Sequence, residues 1–422
     1  MSKVIVELPV EQLKIGFYVS RLDRPWEGTP FLFQGFEIED VEQLQMLRER
    51  CKRVHVEVTS EEAHALQAVA VKIPIPRPPP KAPDSLLELS ANLTAHLDKV
   101  PPKDEVPLST ELNLAASAYG EAKQTVTRIY DRLRSGGGLE VPQLEGVVDS
   151  MVTSIFRNRD AMGWLARLKT KDGYLYSHSL ASSVWALAFG RHLGLDKDTL
   201  RVVGTGAMLL DVGKTRMSDD LLRKSDPPNT AEWNEIRQHV DYGVELLRAS
   251  ASVDHRIITM VKTHHERYDG SGYPCQLKGD EIPLIGRIAG IVDSYDAMIS
   301  ERSYAKAKST YDAVRELKAL DDGAFGGELV ELFIQAVGVF PTGSLVELNT
   351  GEVGIVIAQN RFRRLRPEVM LILNADKKPR DEFLSVDLLT CDENSNSRQL
   401  GMWIIRGLER GAYGIEPTEY FL

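Results

Sequence analysis

The sequence predicts a multidomain α+β protein in which an all-helical core follows a small α+β module and precedes a small β-rich domain. Three observations predict it. At 422 residues the chain is too long for one compact hydrophobic core. A proline-dense stretch interrupts it early, with nine of the 21 prolines lying between Pro74 and Pro107. Beyond that stretch the hydrophobic rhythm is helical as far as Val337, then changes from Pro341 to the two-residue alternation of strands.

Taken in order, the first sixty residues mix short alternating runs (VIVELPV, GFYVSRL, RVHVEV) with one helical stretch, DVEQLQMLRERC. Residues 1–70 therefore read as a small α+β module. Within it WEGTPFLFQGF, residues 26–36, sets four aromatics among Gly and Pro and reads as a core plug under a loop rather than a partner surface. KIPIPRPPPKAP, residues 72–83, forces an extended polyproline conformation. Residues 71–110 accordingly read as a semi-rigid linker in preference to a docking segment. From Glu111 the pattern turns helical, and residues 111–144 read as connecting helices, with GGG at 136–138 separating two of them. Leu144, Val147, Val148, Met151, Val152, Ile155 and Phe156 recur at three- and four-residue spacing and open a helical domain over 145–338. In 339–422, TGSLVELNTGEVGIVIAQN and VMLILN alternate around Gly turns, as a small β-barrel or sheet would. No internal repeat of fixed period is present.

Composition narrows the class. Apolar residues make up 43% and charged residues 27%, ordinary for a soluble globular chain. Apolar runs fall far short of the ~20 residues that span a bilayer, so no membrane span is expected. MSKVIVELPVEQ lacks the apolar core of a signal peptide, which points to a cytoplasmic protein. A net charge of −10 disfavours binding to a nucleic-acid polymer, so an anionic ligand would need local Lys and Arg clusters. Cys51, Cys275 and Cys391 are too few and too scattered for a disulfide framework or a cysteine-based zinc site.

Candidate chemistry gathers between 178 and 293. His178 in YSHSLASSVWAL, Asp211 in MLLDVGK, His239 in IRQHVDYG, His264 and His265 in KTHHERYDGSGYP, and Asp293 in IAGIVDSYDAM each sit in a helical apolar pattern. An inward-facing polar side chain there needs a partner. Singly, His178 and His239 read more readily as satisfied core or surface histidines. His255, after Asp254, reads as a helix-cap neighbour. The adjacent pair is more telling: successive helical residues point ~100° apart, so both reach one polar centre only at a helix end or from two sides of a pocket. A lone buried Asp293 is costly without a cation. Imidazoles and carboxylates drawn from several helices are a usual way of holding two metals in an all-α fold. Such mixed N/O donors suit Fe, Mn, Ni or Zn.

HHERYDGSGYP at 264–274, followed by RIAGIVDSYDAMISERSY at 287–304, closely resembles the HD-GYP domain, with the likeness running from about residue 145 to 335. The opening module resembles the uncharacterised domain often found ahead of HD-GYP domains, and the β-rich tail the segment often found after them. The resemblance implies an HD-type helical core and hydrolysis of the bacterial second messenger cyclic di-GMP to pGpG or GMP. It also implies two divalent transition metals, Fe or Mn ahead of Ni or Zn. Residue by residue, it puts His178, Asp211, His239, His264, His265 and Asp293 on metal-ligand positions, with Asp211 bridging the metals. One metal would keep His178, Asp211 and Asp293; the other would keep Asp211, His239 and one or both of His264 and His265. Lys214 and Arg302 match positions at the substrate phosphate, and Gly272, Tyr273 and Pro274 form the family loop against the substrate. Partners implied are cyclic di-GMP, a signalling protein such as a diguanylate cyclase, and a second copy of the chain.

Three departures qualify the likeness. The family's His–Asp pair is here Leu210–Asp211, so one imidazole ligand is missing from the His178 side. Tyr174 stands four residues before His178, where members with three metals have a glutamate, which argues against a third metal. Ala305 follows Tyr304 where a basic residue is common; Lys306, next along, is the replacement substrate contact, although it would point elsewhere. The expected reaction is in-line attack on a phosphodiester phosphorus by hydroxide that the metals make available near neutral pH. Lys214 and Arg302 would add fixed positive charge to the phosphoryl oxygens. Loss of one imidazole predicts a slower enzyme; the alternative is an inactive cyclic di-GMP receptor or adaptor.

Overall fold

The computed structural model describes residues 3–22, 36–38, 41–59, 103–167, 174–250, 253–301, 306–360, 363–390, 401–415 and 420. The aromatic cluster at 26–35, the proline-rich stretch 72–83, Arg302, Tyr304 and Ala305 lie outside the described residues. The chain divides into two compact units: residues 1–81 with 361–363, and residues 82–360 with 364–422.

In the first unit β1 (Lys3–Pro9) and β4 (Arg53–Thr59) pair antiparallel from Lys3↔Thr59 to Pro9↔Arg53. With β2 (Tyr18–Leu22) and β3 (Phe36–Glu37) they give a four-stranded sheet of order β1-β4-β2-β3. Alternation decides the buried face: Val6, Leu8, Val19, Val54 and Val56 join Leu47 of α1 (Val41–Arg50) in one apolar cluster.

The second unit is helical until Val337. α2 (Leu108–Arg134) starts behind Pro107, three residues before the helical pattern becomes obvious in the sequence. α3 (Val141–Arg157) and α4 (Arg159–Arg167) follow it, and the glycines at 136–138 separate α2 from α3. α5 (Tyr174–His192) carries Trp185 and Phe189, both buried, so the helix runs through the interior rather than along the surface. Asp196 accepts the Thr199 amide at 2.8 Å and starts α6 (Lys197–Met208). α7 (Asp219–Arg223) is short; α8 (Thr230–Arg237) begins with a reciprocal Asn229–Glu232 cap and runs almost directly into α9 (His239–Ala249). Asp254 caps α10 (His255–Thr263), leaving His255 exposed beside it. α11 (Leu284–Ile299) is buried along nearly its whole length, and α12 (Thr310–Ala319) and α13 (Gly327–Val337) complete the helical layer. No helix among the described residues is long and apolar enough to cross a membrane.

β5 (Leu345–Leu348), β6 (Val353–Ala358), β7 (Glu368–Leu373), β8 (Pro379–Asp387) and β9 (Ile404–Leu408) form an antiparallel sheet of order β8-β7-β6-β5-β9. Its apolar face closes on Trp164 of α4, which packs with Leu345, Val353, Ile355, Ile372 and Leu373. The architecture is the multidomain α+β one, with an N-terminal α+β module, a helical core and a C-terminal sheet in chain order.

Candidate metal centre

Six side chains named from the sequence, brought from separate parts of the helical core, meet at one buried point. Asp211 lies in the turn between α6 and the short 3₁₀ segment Val212–Arg216. Gly213 lets that turn press on the start of α9: a Cβ there would fall 1.9 Å from the His239 carbonyl oxygen. His239 is the first residue of α9, and His264 is the C-cap of α10 with His265 just beyond. The helix end resolves the ~100° offset between adjacent residues and lets both rings face the same centre. His178 and Asp293 come from the interiors of α5 and α11.

The donors form two groups that share Asp211: His178, Asp211 and Asp293 in one, Asp211, His239, His264 and His265 in the other. Within each, ligand atoms lie within 4.8 Å of one another. Asp211 divides its oxygens between them, Oδ2 lying 3.7 Å from His178 Nε2 and Oδ1 lying 3.4 Å from His239 Nε2. Oδ1 is buried without a hydrogen-bond partner.

Hydrogen bonds behind the rings fix which nitrogen is free. His239 Nδ1 is 2.6 Å from the Ile236 carbonyl and His264 Nδ1 is 2.7 Å from the Val261 carbonyl. A carbonyl only accepts, so both rings carry the proton on Nδ1 and present an Nε2 lone pair. Those Nε2 atoms face each other at 3.4 Å. Two lone pairs and an unpartnered carboxylate oxygen thus converge with no proton among them. Burial keeps the imidazoles neutral: it pushes His239 down to about 4, lowers His264, and lowers His265 well below the ordinary histidine value. This is the charge state and orientation that a divalent cation requires, and His239, His264, His265 and Asp211 fit one.

The other half is built differently. His178 Nε2 lies 2.9 Å from Asp293 Oδ1, and Nδ1 lies 2.7 Å from Asp296 Oδ2. Burial opposes a proton here, but hydrogen bonds to Asp293 and Asp296 outweigh it and raise His178 to about 9. Asp296, fully buried, also accepts from Trp185 Nε1 at 2.9 Å and from Ser300 Oγ at 3.2 Å. A carboxylate behind a ligand imidazole fixes its tautomer and raises its basicity. The sequence reading assigned Asp296 no role. The signal was present: Asp296 follows Asp293 by three residues in VDSYDAM, a spacing that puts both on one face of α11. For Asp211, burial alone would raise the pKa; Lys214, His239 and His178 outweigh it and hold the carboxyl well below the ordinary range. Asp293 is likewise held down, against burial, by His178. Leu210 is buried and offers this half no donor atom.

The expected substrate contacts are placed unevenly. Lys214 Nζ is 2.6 Å from Asp211 Oδ2, so its ammonium neutralises the shared carboxylate rather than standing free for a phosphate. Tyr273 stacks on His265, centroids 4.6 Å apart at 27°. Gly272 has an ordinary negative-region backbone; it is required instead by close packing, since a Cβ there would fall 2.3 Å from the Arg267 amide nitrogen. Glu266 holds the loop shut by accepting from the Cys275 and Leu277 amides at 2.7 and 2.9 Å. Lys306 is exposed and makes no hydrogen bond or ion pair with the cluster among the described residues. Arg302 lies outside the described residues.

Three family profiles match successive stretches of the chain, the first in chain order running past the break between the two compact units at residue 81. An HD domain profile matches residues 163–329, a domain of unknown function matches 5–144, and a KOW domain associated with HD domains matches 345–394. The chain is 30% identical over 382 residues to a cyclic di-GMP phosphodiesterase of Pseudomonas aeruginosa, covering 89% of this chain and 87% of that one. It is 38% identical over 146 residues to a 3′3′-cGAMP-specific phosphodiesterase of Vibrio cholerae, covering 34% of this chain and 27% of that one. Among solved structures, an HDGYP-type protein from Bdellovibrio bacteriovorus aligns at 16% identity and a TM-score of 0.45, over 78% of this chain and 98% of that one.

Proposed function

The chain belongs to the HD-GYP family of phosphodiesterases, and from that premise we propose that it hydrolyses cyclic di-GMP at a two-metal centre with Asp211 as the shared ligand. The observation that carries the reading is the convergence of the His239 and His264 Nε2 lone pairs on the unpartnered Asp211 Oδ1. A divalent cation at their meeting point satisfies all three at once. His239, His264, His265 and Asp211 would hold one ion; His178, Asp293 and Asp211 would hold the other. Iron or manganese suits these donors best, with nickel or zinc as alternatives. Bound there, the metals supply an activated water near neutral pH and offset charge on the phosphoryl oxygens.

The chain's own residues do the rest. The Nδ1–carbonyl bonds of His239 and His264 keep both ligand nitrogens oriented without reorganisation, and Asp296 does the same for His178. Lys214 places positive charge beside the shared carboxylate, and a phosphoryl oxygen arriving there would share its ammonium. Tyr273, stacked on His265, would stand beside the bound substrate, and Arg302 would contact the phosphate. The products are pGpG or GMP, and the setting is the cytoplasm.

Leu210 supports a second reading. It leaves the His178 half with three protein ligands, which still holds a metal in many catalytic zinc sites but more weakly than four. A chain that binds cyclic di-GMP without cleaving it would be a receptor built on the same fold. One experiment separates the two: metal content per chain on anaerobically purified protein, with cyclic di-GMP turnover measured on the same sample. About two metals with turnover support the phosphodiesterase. One metal or none, with binding and no turnover, would replace it with the receptor.

A further inference from the structure

Tyr273 joins the ligand cluster to a cation that the function above leaves unused. Its ring stacks on His265, and the guanidinium carbon of Arg237 lies 5.1 Å from its centroid. Arg237 is the last residue of α8, two positions ahead of the ligand His239, and its side chain is exposed. Among the described residues it has no ion pair and no hydrogen bond. Nearby cations are committed elsewhere. Lys214 is bound to Asp211, and Arg267 donates to the His264 and Glu266 carbonyls at 3.2 and 3.0 Å. Arg237 is therefore a solvent-facing guanidinium oriented by an aromatic face beside a ligand histidine, with no carboxylate to neutralise it.

We propose that Arg237 binds the phosphodiester of the substrate that is not being cleaved. The inference rests on the cyclic dinucleotide reading above. Such a substrate has two phosphodiesters in one ring. When one lies at the ligand cluster the other must lie outside it, still carrying its full negative charge. A guanidinium presents a planar fork that matches two phosphoryl oxygens. The contact with the Tyr273 ring uses none of its N–H donors in a hydrogen bond among the described residues, so they remain available to a phosphate. Arg237 thereby selects substrates with a second phosphate over small phosphodiesters that fill the metal cluster alone.

The test uses the full-length, metal-loaded chain as wild type, Arg237→Ala and Arg237→Lys. Cyclic di-GMP and bis(4-nitrophenyl) phosphate serve as substrates, and equilibrium binding of cyclic di-GMP and metal content are measured alongside. Arg237→Ala raises KM for cyclic di-GMP about tenfold with little change in kcat, the loss of one charge-assisted contact. Its loss in kcat/KM on cyclic di-GMP exceeds that on bis(4-nitrophenyl) phosphate by a similar factor, and Arg237→Lys falls between. Equal losses on both substrates would show that Arg237 merely holds Tyr273, and no loss on either would equally overturn the contact. Failure of the underlying reading shows in the wild type. Cleavage of bis(4-nitrophenyl) phosphate with neither binding nor cleavage of cyclic di-GMP overturns both. Binding without cleavage overturns hydrolysis alone, and the contact then stands only if Arg237→Ala weakens that binding about tenfold.

Discussion

The two halves of the centre share Asp211 but are prepared for a cation by opposite means. In the His239–His264–His265 half, backbone carbonyls lock the His239 and His264 rings, and burial strips the protons from all three. In the His178 half, two carboxylates hold the ring and keep a proton on it. The first half has four protein donors; the second has three, with Leu210 where the family has an imidazole. On the proposed two-metal reading, one half would stand ready for a cation, while the other would have to exchange a proton for it.

The sharpest test of that asymmetry is to remove one imidazole from each half. His239→Ala takes a ligand from the complete half and leaves Asp211 Oδ1 and the His264 lone pair without a centre. Turnover and occupancy of that half should fall by at least ~100-fold, beyond what loss of a supporting contact costs. His178→Ala acts on a half already short of a ligand, so its effect on total metal content should be smaller. Metal content and kcat of the two purified variants measure this directly. A larger drop in metal content for His178→Ala would reverse the assignment of the strong and weak halves.

Leu210→His approaches the contrast from the other side. Restoring the family's imidazole beside Asp211 should raise affinity for the second metal ~10–100-fold and raise turnover with it. The readout is metal stoichiometry under limiting metal. If neither stoichiometry nor activity moves, the surroundings of Leu210 have repacked and the deficit of this half lies beyond one residue.

The protonation difference gives a pH signature. Uptake of metal by the His178 half displaces a proton below about pH 9, so its affinity should rise ~10-fold per pH unit between pH 6.5 and 8.5. The other half, with His239 at about 4, should show no such slope there. Metal-free protein should show the counterpart in stability. The raised His178 contributes stability that is complete below pH ~6.5 and is lost as pH rises through 9. The depressed His239 contributes stability that is complete above pH ~6.5 and is lost as pH falls through 4. Denaturant titrations of the metal-free chain across both windows would expose the opposite slopes; parallel slopes would break the comparison.

Much of this was legible in the sequence because ligand chemistry constrains residue type. A buried Asp293 in an apolar helix, paired adjacent histidines at a helix end, and an aspartate closing an apolar run each demand a partner. The α+β module, helical core and terminal sheet followed from period and punctuation. What stayed hidden depends on distance rather than type. Asp296 looked like one more polar residue on α11 until Trp185 and His178 were seen around it. The tautomers of His239 and His264 are set by carbonyls three residues back, and every helical residue has such a carbonyl. Lys214 carried the right charge for a phosphate, but only coordinates place it on Asp211. Arg237 drew no attention because its significance lies in Tyr273, 36 positions along the chain by their numbers.

The smallest expected effect separates position from composition in the weaker half. Trp185→Phe removes one of the hydrogen bonds to Asp296 and changes no ligand. Phe preserves an aromatic ring against Tyr295, whose centroid lies 5.5 Å away in an edge-to-face contact. Asp296 Oδ1 would lose its indole donor inside a fully buried site, at a cost of about 1–3 kcal/mol in stability. Freed from that bond, the carboxylate can rotate, and His178 is aimed less firmly at the Asp293–Asp211 side. Metal affinity of the His178 half should weaken by ~3-fold, below the 10–100-fold cost of losing the supporting carboxylate itself. Occupancy of the His239 half should stay as it was, because its orientation is set by the Ile236 and Val261 carbonyls. Metal titration of the variant, half against half, reads both numbers. An equal loss in the two halves would mean that Trp185 stabilises the whole core and that Asp296 does not specifically orient His178.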